Sequence, residues 1–198
     1  MRGESLIVPI VRINVEHGTD IDASTKHKME VALNGTRCTA CDSCFGAEQC
    51  LYGTRIIDAR SLVSSSPTLV ARHAKDGTYA GSVCLHHVTD VSFGGALRHV
   101  CTVPAMLVTT LCVDTECRKS SIGSIILKHV LRRYSQENNM YLTVRPKRPE
   151  SECRPEQLAS RRELNSRVDK LLGFYKKHGF RIIEKGDHIW LLKYVGAS

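Results

Sequence analysis

One run of residues, Ala105-Met106-Leu107-Val108-Thr109-Thr110-Leu111-Cys112-Val113, is apolar or β-branched throughout. Such a run reads as a strand buried on both faces of a sheet. A polar stretch, Asp114 to Ser121, follows it. Then Ile122, Ile126, Val130 and Tyr134 recur at every fourth residue, with Ile125 and Leu131 widening one apolar helical stripe. A buried strand passing through a loop of small residues into a helix makes an anion site. The first N–H groups of a helix lack internal partners, and small side chains let a phosphate reach them. Small-residue content alone also fits an ordinary strand-to-helix turn.

The surrounding pattern implies a mixed α/β fold. Ser5 to Val15 reads as an opening strand interrupted by Pro9, and Lys26 to Leu33 has helical character ending at Asn34-Gly35. Thr68 to Arg72 and Tyr79 to Val88 are strands around Lys75-Asp76-Gly77, a hairpin signal. Met140 to Val144 is a further strand, stopped by Pro146. A second helix is expected from about Leu164 to His178, with Gly179 as a left-handed cap and Phe180 packing back on its last turn. Arg181 to Glu184 and Ile189 to Tyr194 close the chain as strands around Gly186-Asp187. With no internal repeat and 198 residues, residues 1–198 are expected to form a single domain.

Two segments resemble those of GNAT N-acetyltransferases. Arg118-x-x-Ser121-x-Gly123 is similar to the family's Arg/Gln-x-x-Gly-x-Gly/Ala, in the same strand–loop–helix setting. Phe174-Tyr175-Lys176-Lys177-His178-Gly179-Phe180 is similar to its Phe-Tyr-x-x-x-Gly-Phe. The order and separation match too, so the resemblance covers about residues 67–194. It implies a mixed, mostly antiparallel central sheet flanked by helices, and transfer of acetyl from acetyl-CoA to a primary amine of a protein or small molecule. By the resemblance, the main chain of Leu111, Cys112 and Val113 pairs with the pantetheine arm. The loop Lys119, Ser120, Ser121, Ile122, Gly123 and Ser124 holds the pyrophosphate, with Arg118 or Lys119 beside a phosphate. Tyr175 protonates the departing thiolate, for which a phenol is a suitable acid. Ser121 replaces the first motif glycine, and Arg145 to Leu164 is an insertion relative to the family. Ser121 also keeps a second reading open, a GNAT-fold module that binds without turnover.

No general base stands out. The Glu-Asp pair of polyamine acetyltransferases falls on Thr109 and Thr110, and the Glu of histone acetyltransferases falls on Leu107. His86, His87 and Asp90, or a water relay, are the alternatives. The missing acids and the net charge of +8 both argue against a polyamine acceptor. That charge, with a pI near 9.1, suits an anionic partner. A nucleic-acid reading rests on charge alone, since no basic motif is interleaved with aromatics.

Cys38, Cys41, Cys44 and Cys50 crowd a divergent segment, residues 36–52, of a chain holding 9 cysteines. Four thiolates at this spacing can hold a zinc ion, bind an iron–sulfur cluster, form disulfides or remain free. The opening residues lack the apolar core of a signal peptide, and no apolar run approaches the ~20 residues of a membrane span. The expected location is therefore the cytoplasm or nucleus.

Overall fold

The structure, a computed structural model, describes residues 11–16, 21–34, 68–88, 101–118, 120–144, 158–186 and 190–196. In chain order these form β1 (Val11–Glu16), α1 (Ala23–Asn34), β2 (Thr68–His73), β3 (Tyr79–Val88) and β4 (Ala105–Val113). A 3₁₀ turn (Thr115–Cys117) leads to α2 (Ile122–Tyr134) and β5 (Asn139–Val144). The chain then runs through α3 (Leu158–Lys177), β6 (Phe180–Lys185) and β7 (Trp190–Tyr194).

The strands make one 7-stranded sheet in the order β1-β2-β3-β4-β5-β7-β6. Every neighbouring pair is antiparallel except β4 and β5. That exception follows from α2, because a parallel pair needs a crossover and a helix supplies it. At the hairpin between β2 and β3, Gly77 takes φ 72°, the left-handed conformation that Asp-Gly turns supply.

Alternation of side chains along the strands separates two apolar layers. On one face Leu69, Val83, Leu85, Val108 and Leu142 meet Ile122, Ile126, Leu127 and Val130 of α2, with Leu172 and Tyr175 of α3. On the other, Ile21 and Met29 beside and within α1 cover Val70, Tyr79 and Cys84. Further along the sheet, Ala105, Tyr141 and Leu191 form a third apolar cluster. Fully buried aliphatic side chains such as Ile126 contribute roughly 1.5–3 kcal/mol each. Gly81 decides how closely α2 settles on the sheet: a Cβ there would stand 2.7 Å from the Cys112 carbonyl oxygen and 2.9 Å from Ile126 Cδ1.

Asp22 caps α1 by accepting the Thr25 N–H at 2.8 Å, and Arg72 of β2 ties the cap to the sheet through Nη2 to Asp22 Oδ2 at 3.2 Å. The second helix differs from expectation. It starts at Leu158 rather than near Leu164, so part of the expected insertion is helical. Its first turns are dominated by polar and charged residues, and the buried Arg161 hides the inward face from an apolar count. Gly179 ends the helix at φ 85°, and Phe180 packs edge-on to Tyr175 with centroids 5.8 Å apart.

Candidate active site

β4 pairs with β5 only from Ala105↔Asn139 to Val108↔Leu142. On its other side it stays paired with β3 as far as Gly81↔Val113. The two parallel strands therefore part after Val108, and on that side the edge of β4 from Thr109 to Val113 faces no strand among the described residues. The parting coincides with a bulge. Along β3, Cys84 pairs with Thr110 and the next residue, Leu85, with Val108, which leaves Thr109 as the extra residue. A bulge bends its strand and releases backbone groups from the ladder. A polar, extended ligand can pair with such an edge as a strand would. Leu111, Cys112 and Val113, expected to meet a pantetheine arm, all lie on it. Leu111 and Val113 turn partly into the core with α2, while Cys112 is buried. Burial pushes the Cys112 thiol up to about 12, Cys84 adds to the rise, and Arg118 opposes it. The Cys112 side chain thus stays a neutral thiol, and only its main chain is suited to a ligand.

Asp114 folds the exit from β4. Its N–H donates to the Ala80 carbonyl at 3.0 Å, and its carbonyl accepts the Cys117 N–H at 2.9 Å. One carboxylate oxygen accepts the Glu116 N–H at 3.1 Å. Next along the loop, the Ser120 hydroxyl donates to the Cys117 carbonyl. Ser121 then takes φ 65° and ψ 2°, the left-handed conformation, and makes no side-chain cap bond. That conformation accounts for glycine in the family motif, since a Cβ is strained there. The helical ladder opens with the Ile125 N–H on the Ser121 carbonyl at 3.0 Å. The N–H groups of Ile122, Gly123 and Ser124 precede that first bond and point from the positive end of the helix. Arg118 and Ser120 are exposed beside them.

A Cβ at Gly123 would stand 3.4 Å from Val113 Cγ2 and 3.7 Å from Phe174 Cζ, ordinary contact distances, so β4 and α3 both border the helix start there. Phe174, expected on one side of α3 with Leu171, Tyr175 and His178, stands beside the start of α2. Tyr175 is largely buried in the same layer, with its ring 5.3 Å from Phe174 and edge-on. His178, also buried, fixes this turn by donating Nδ1–H to the Phe174 carbonyl at 2.8 Å.

Among the expected bases, His86 stands opposite Leu107 and close in sequence to the bulge's partners. His87 is held at 3.0 Å from Asn138 Oδ1, at the connection into β5. Asp90 and Lys119 lie outside the described residues, as do Cys38, Cys41, Cys44 and Cys50. Among the described residues no group of three or more His, Cys, Asp or Glu is placed to hold a metal. Nor is any helix among them long and apolar enough to cross a membrane. Thr109 as a bulge was not foreseen, since two threonines inside an apolar run carry no signal of one.

Comparison with known proteins agrees with this geometry. No curated protein matches the chain by sequence. Among solved structures, the PaiA N-acetyltransferase of Thermoplasma acidophilum in complex with coenzyme A is similar at TM-score 0.57 and 13% identity, over 92% of this chain and 97% of that one. Arabidopsis thaliana NAA60 in complex with acetyl-CoA is similar at TM-score 0.54 and 13% identity, over 93% and 97%. PH1933 of Pyrococcus horikoshii gives 0.54 at 15% identity, over 92% and 97%. At these identities the likeness is one of fold. A family model described as the acetyltransferase (GNAT) family matches residues 40–152, which include the bulge, the parted strands and the left-handed turn into α2. On that match, over more than half of its length, the chain belongs to the GNAT acetyltransferase family.

Proposed function

We propose that the chain transfers the acetyl group of acetyl-CoA to a primary amine, on a protein or a small molecule, by direct attack. One observation carries this reading above the others. β4 and β5 part at the bulge, and the freed β4 edge leads directly into a helix start with forward-pointing N–H groups. An extended polar arm with a pyrophosphate at its end matches that sequence of donors and acceptors. The relatives of similar fold bound to coenzyme A and acetyl-CoA support the same cosubstrate.

In this reading the edge from Leu111 to Val113 holds the pantetheine. The N–H groups around Ser120 to Ser124 hold the pyrophosphate, with Arg118 and Lys119 adding positive charge. The neutral amine attacks the thioester carbonyl carbon, forming a C–N bond, while backbone donors of β4 near the bulge stabilise the oxyanion. The C–S bond then breaks, Tyr175 gives its proton to the thiolate, and the excess amine proton leaves to a base or to water. His86 is the described base candidate nearest the bulge along the strand pairing. Thr109 and Thr110 stand where a polyamine enzyme carries acids, and with the basic net charge they disfavour a polyamine acceptor.

Titration calorimetry with acetyl-CoA, followed by thiol-release kinetics on lysine peptides, small amines and spermidine, tests the reading. Micromolar cosubstrate binding with amine-dependent release is expected. Binding without release from any amine would favour a binding module, and no binding would remove acetyl-CoA altogether. Tyr175→Phe keeps the packed ring and should bind acetyl-CoA normally while losing about 10²-fold in kcat. Full kcat in that variant would leave solvent as the acid.

A further inference from the structure

The two sides of α2 have opposite characters. Its inner stripe of Ile122, Ile126, Leu127, Val130 and Leu131 is buried, while Lys128, Arg132 and Arg133 are exposed and His129 is half-buried. The helix contains no Asp or Glu. Residues four apart lie on one side of a helix, about 6 Å apart along it. Lys128 with Arg132, and His129 with Arg133, therefore form two adjacent basic rows. Arg133 is further restrained by a cation–π contact, its guanidinium carbon 5.7 Å from the centre of the Tyr134 ring.

Among the described residues, no ion pair joins Lys128, Arg132 or Arg133 to a carboxylate. Glu137, the next acid along the chain, stands past the helix end. The resulting field is felt at His129, whose pKa is lowered first by burial and then by Arg133 and Arg132. Arg132 and Arg133 also complement the negative end of the helix, but Lys128 stands before the last turn, so helix polarity does not account for it. The chemistry of this face narrows its partner. Protein interfaces centre on apolar and aromatic anchors, and none of Val103, Leu171, Ile183 and Val195, the exposed large hydrophobic residues described, lies on α2. A helix lying on a membrane offers lipid an apolar face, and that of α2 is in the core. A nucleic-acid backbone asks for neither, since Lys and Arg bind its phosphates across polar, strongly positive interfaces. The arginine fork in particular matches paired phosphate oxygens.

We propose that the outer face of α2 binds the phosphate backbone of nucleic acid through Lys128, Arg132 and Arg133. Contacts of this kind position a protein on the backbone and carry no sequence information, so no base preference is expected. The three side chains start about 9 to 15 Å along the helix from its first residue, which separates this surface from the N–H groups at the helix start. Binding there needs no acetyl-CoA and stands independently of the acetyl-transfer reading.

Fluorescence anisotropy tests this, with the full chain titrated into a labelled single-stranded RNA or DNA duplex of about 20 units, between about 50 and 200 mM salt. Micromolar binding is expected at the low-salt end, weakening steeply as salt rises. The triple variant Lys128→Gln, Arg132→Gln, Arg133→Gln should bind at least about tenfold more weakly, with the slope of log affinity against log salt shallower by about 2 to 3. A control triple variant, Lys170→Gln, Lys176→Gln, Lys177→Gln, removes equal charge from exposed positions of α3 and should cost less than about threefold. Lys128→Gln alone, outside the last turn, should lose about two- to threefold at unchanged Tm, which keeps the test valid if the triple variant folds poorly. Equal losses in the two triple variants would reduce the effect to net charge and overturn the proposal. So would the binding of neither probe, whether or not the chain attaches to anionic lipid vesicles. Displacement of the RNA by polyglutamate as readily as by unlabelled RNA would also overturn it, in favour of an acidic protein partner.

Discussion

The left-handed Ser121 lends itself to a quantitative test, because the conformation strains any residue with a Cβ and its side chain offers nothing in return. Ser121 stands at φ 65°, caps no N–H, and is exposed. Holding an L-residue there costs about 1–2 kcal/mol, which glycine avoids. Glycine gives back roughly 0.5–1 kcal/mol through its greater freedom in the unfolded chain. Ser121→Gly should therefore gain about 0.5–1 kcal/mol, or ~2 °C in Tm for a chain of this size. Ser121→Val adds a β-branched side chain to the same conformation and should lose about 2 kcal/mol. The opposite is expected at Gly123, where a new Cβ meets Val113 and Phe174 at 3.4 and 3.7 Å, ordinary contact distances. There Gly123→Ala should be tolerated or stabilise by up to about 1 kcal/mol through helix propensity, whereas Gly123→Val should crowd both neighbours. Thermal melts without ligand read these differences free of binding linkage. A fall in Tm for Ser121→Gly, or an unchanged Tm for Ser121→Val, would refute the strain argument. In calorimetry, Ser121→Gly should bind acetyl-CoA as well as before or better.

Gly81→Ala should cost at least about 2 kcal/mol, since its Cβ would press on the Cys112 carbonyl oxygen at 2.7 Å and on Ile126; an unchanged denaturation midpoint would contradict the close packing of α2. The Asp22 carboxyl is held down at about 2, first by the Thr25 hydroxyl and N–H and then, against a small burial effect, by Arg72. A depressed carboxylate stabilises the fold above its unfolded value of 3.8 and loses that contribution as pH falls from about 4 to 2. Because the side chain is 53% exposed, the contribution should stay below about 1 kcal/mol, and Asp22→Asn, still a capable cap, should flatten the stability profile across that window. If the Cys38, Cys41, Cys44 and Cys50 cluster holds zinc, elemental analysis should find about one ion per chain and a chelator should lower the Tm. Metal-free protein with four readily alkylated thiols would make them free cysteines.

Much of the sheet was legible because local chemistry and tertiary role agree in it. Ala105–Val113 and Tyr79–Val88 have the bounds that their apolar and β-branched runs suggest. Gly77 and Gly179 take the positive φ that a hairpin turn and a helix end ask of them. The start of α3 was hidden for the reverse reason. Arg161 is buried there although arginine counts as a surface residue, so the periodic stripe begins late in the sequence and early in the structure.

The site was legible only as far as it depends on neighbours in sequence. The helix start and the Arg118-to-Gly123 spacing are local, and so is the strain at Ser121. The parting of β4 from β5 is not, because it arises from a register that brings Cys84 against Thr110 and Leu85 against Val108. A bulge asks of its extra residue only a backbone that can adopt it, so nothing at position 109 announces it. The Lys28–Asp114 contact is equally silent in sequence, joining residues on two elements that only the packing of α1 against β3 and β4 brings together. Adjacent residues thus make the part of the loop that its own sequence shows, while contacts such as Lys28–Asp114 come from wherever the fold can reach.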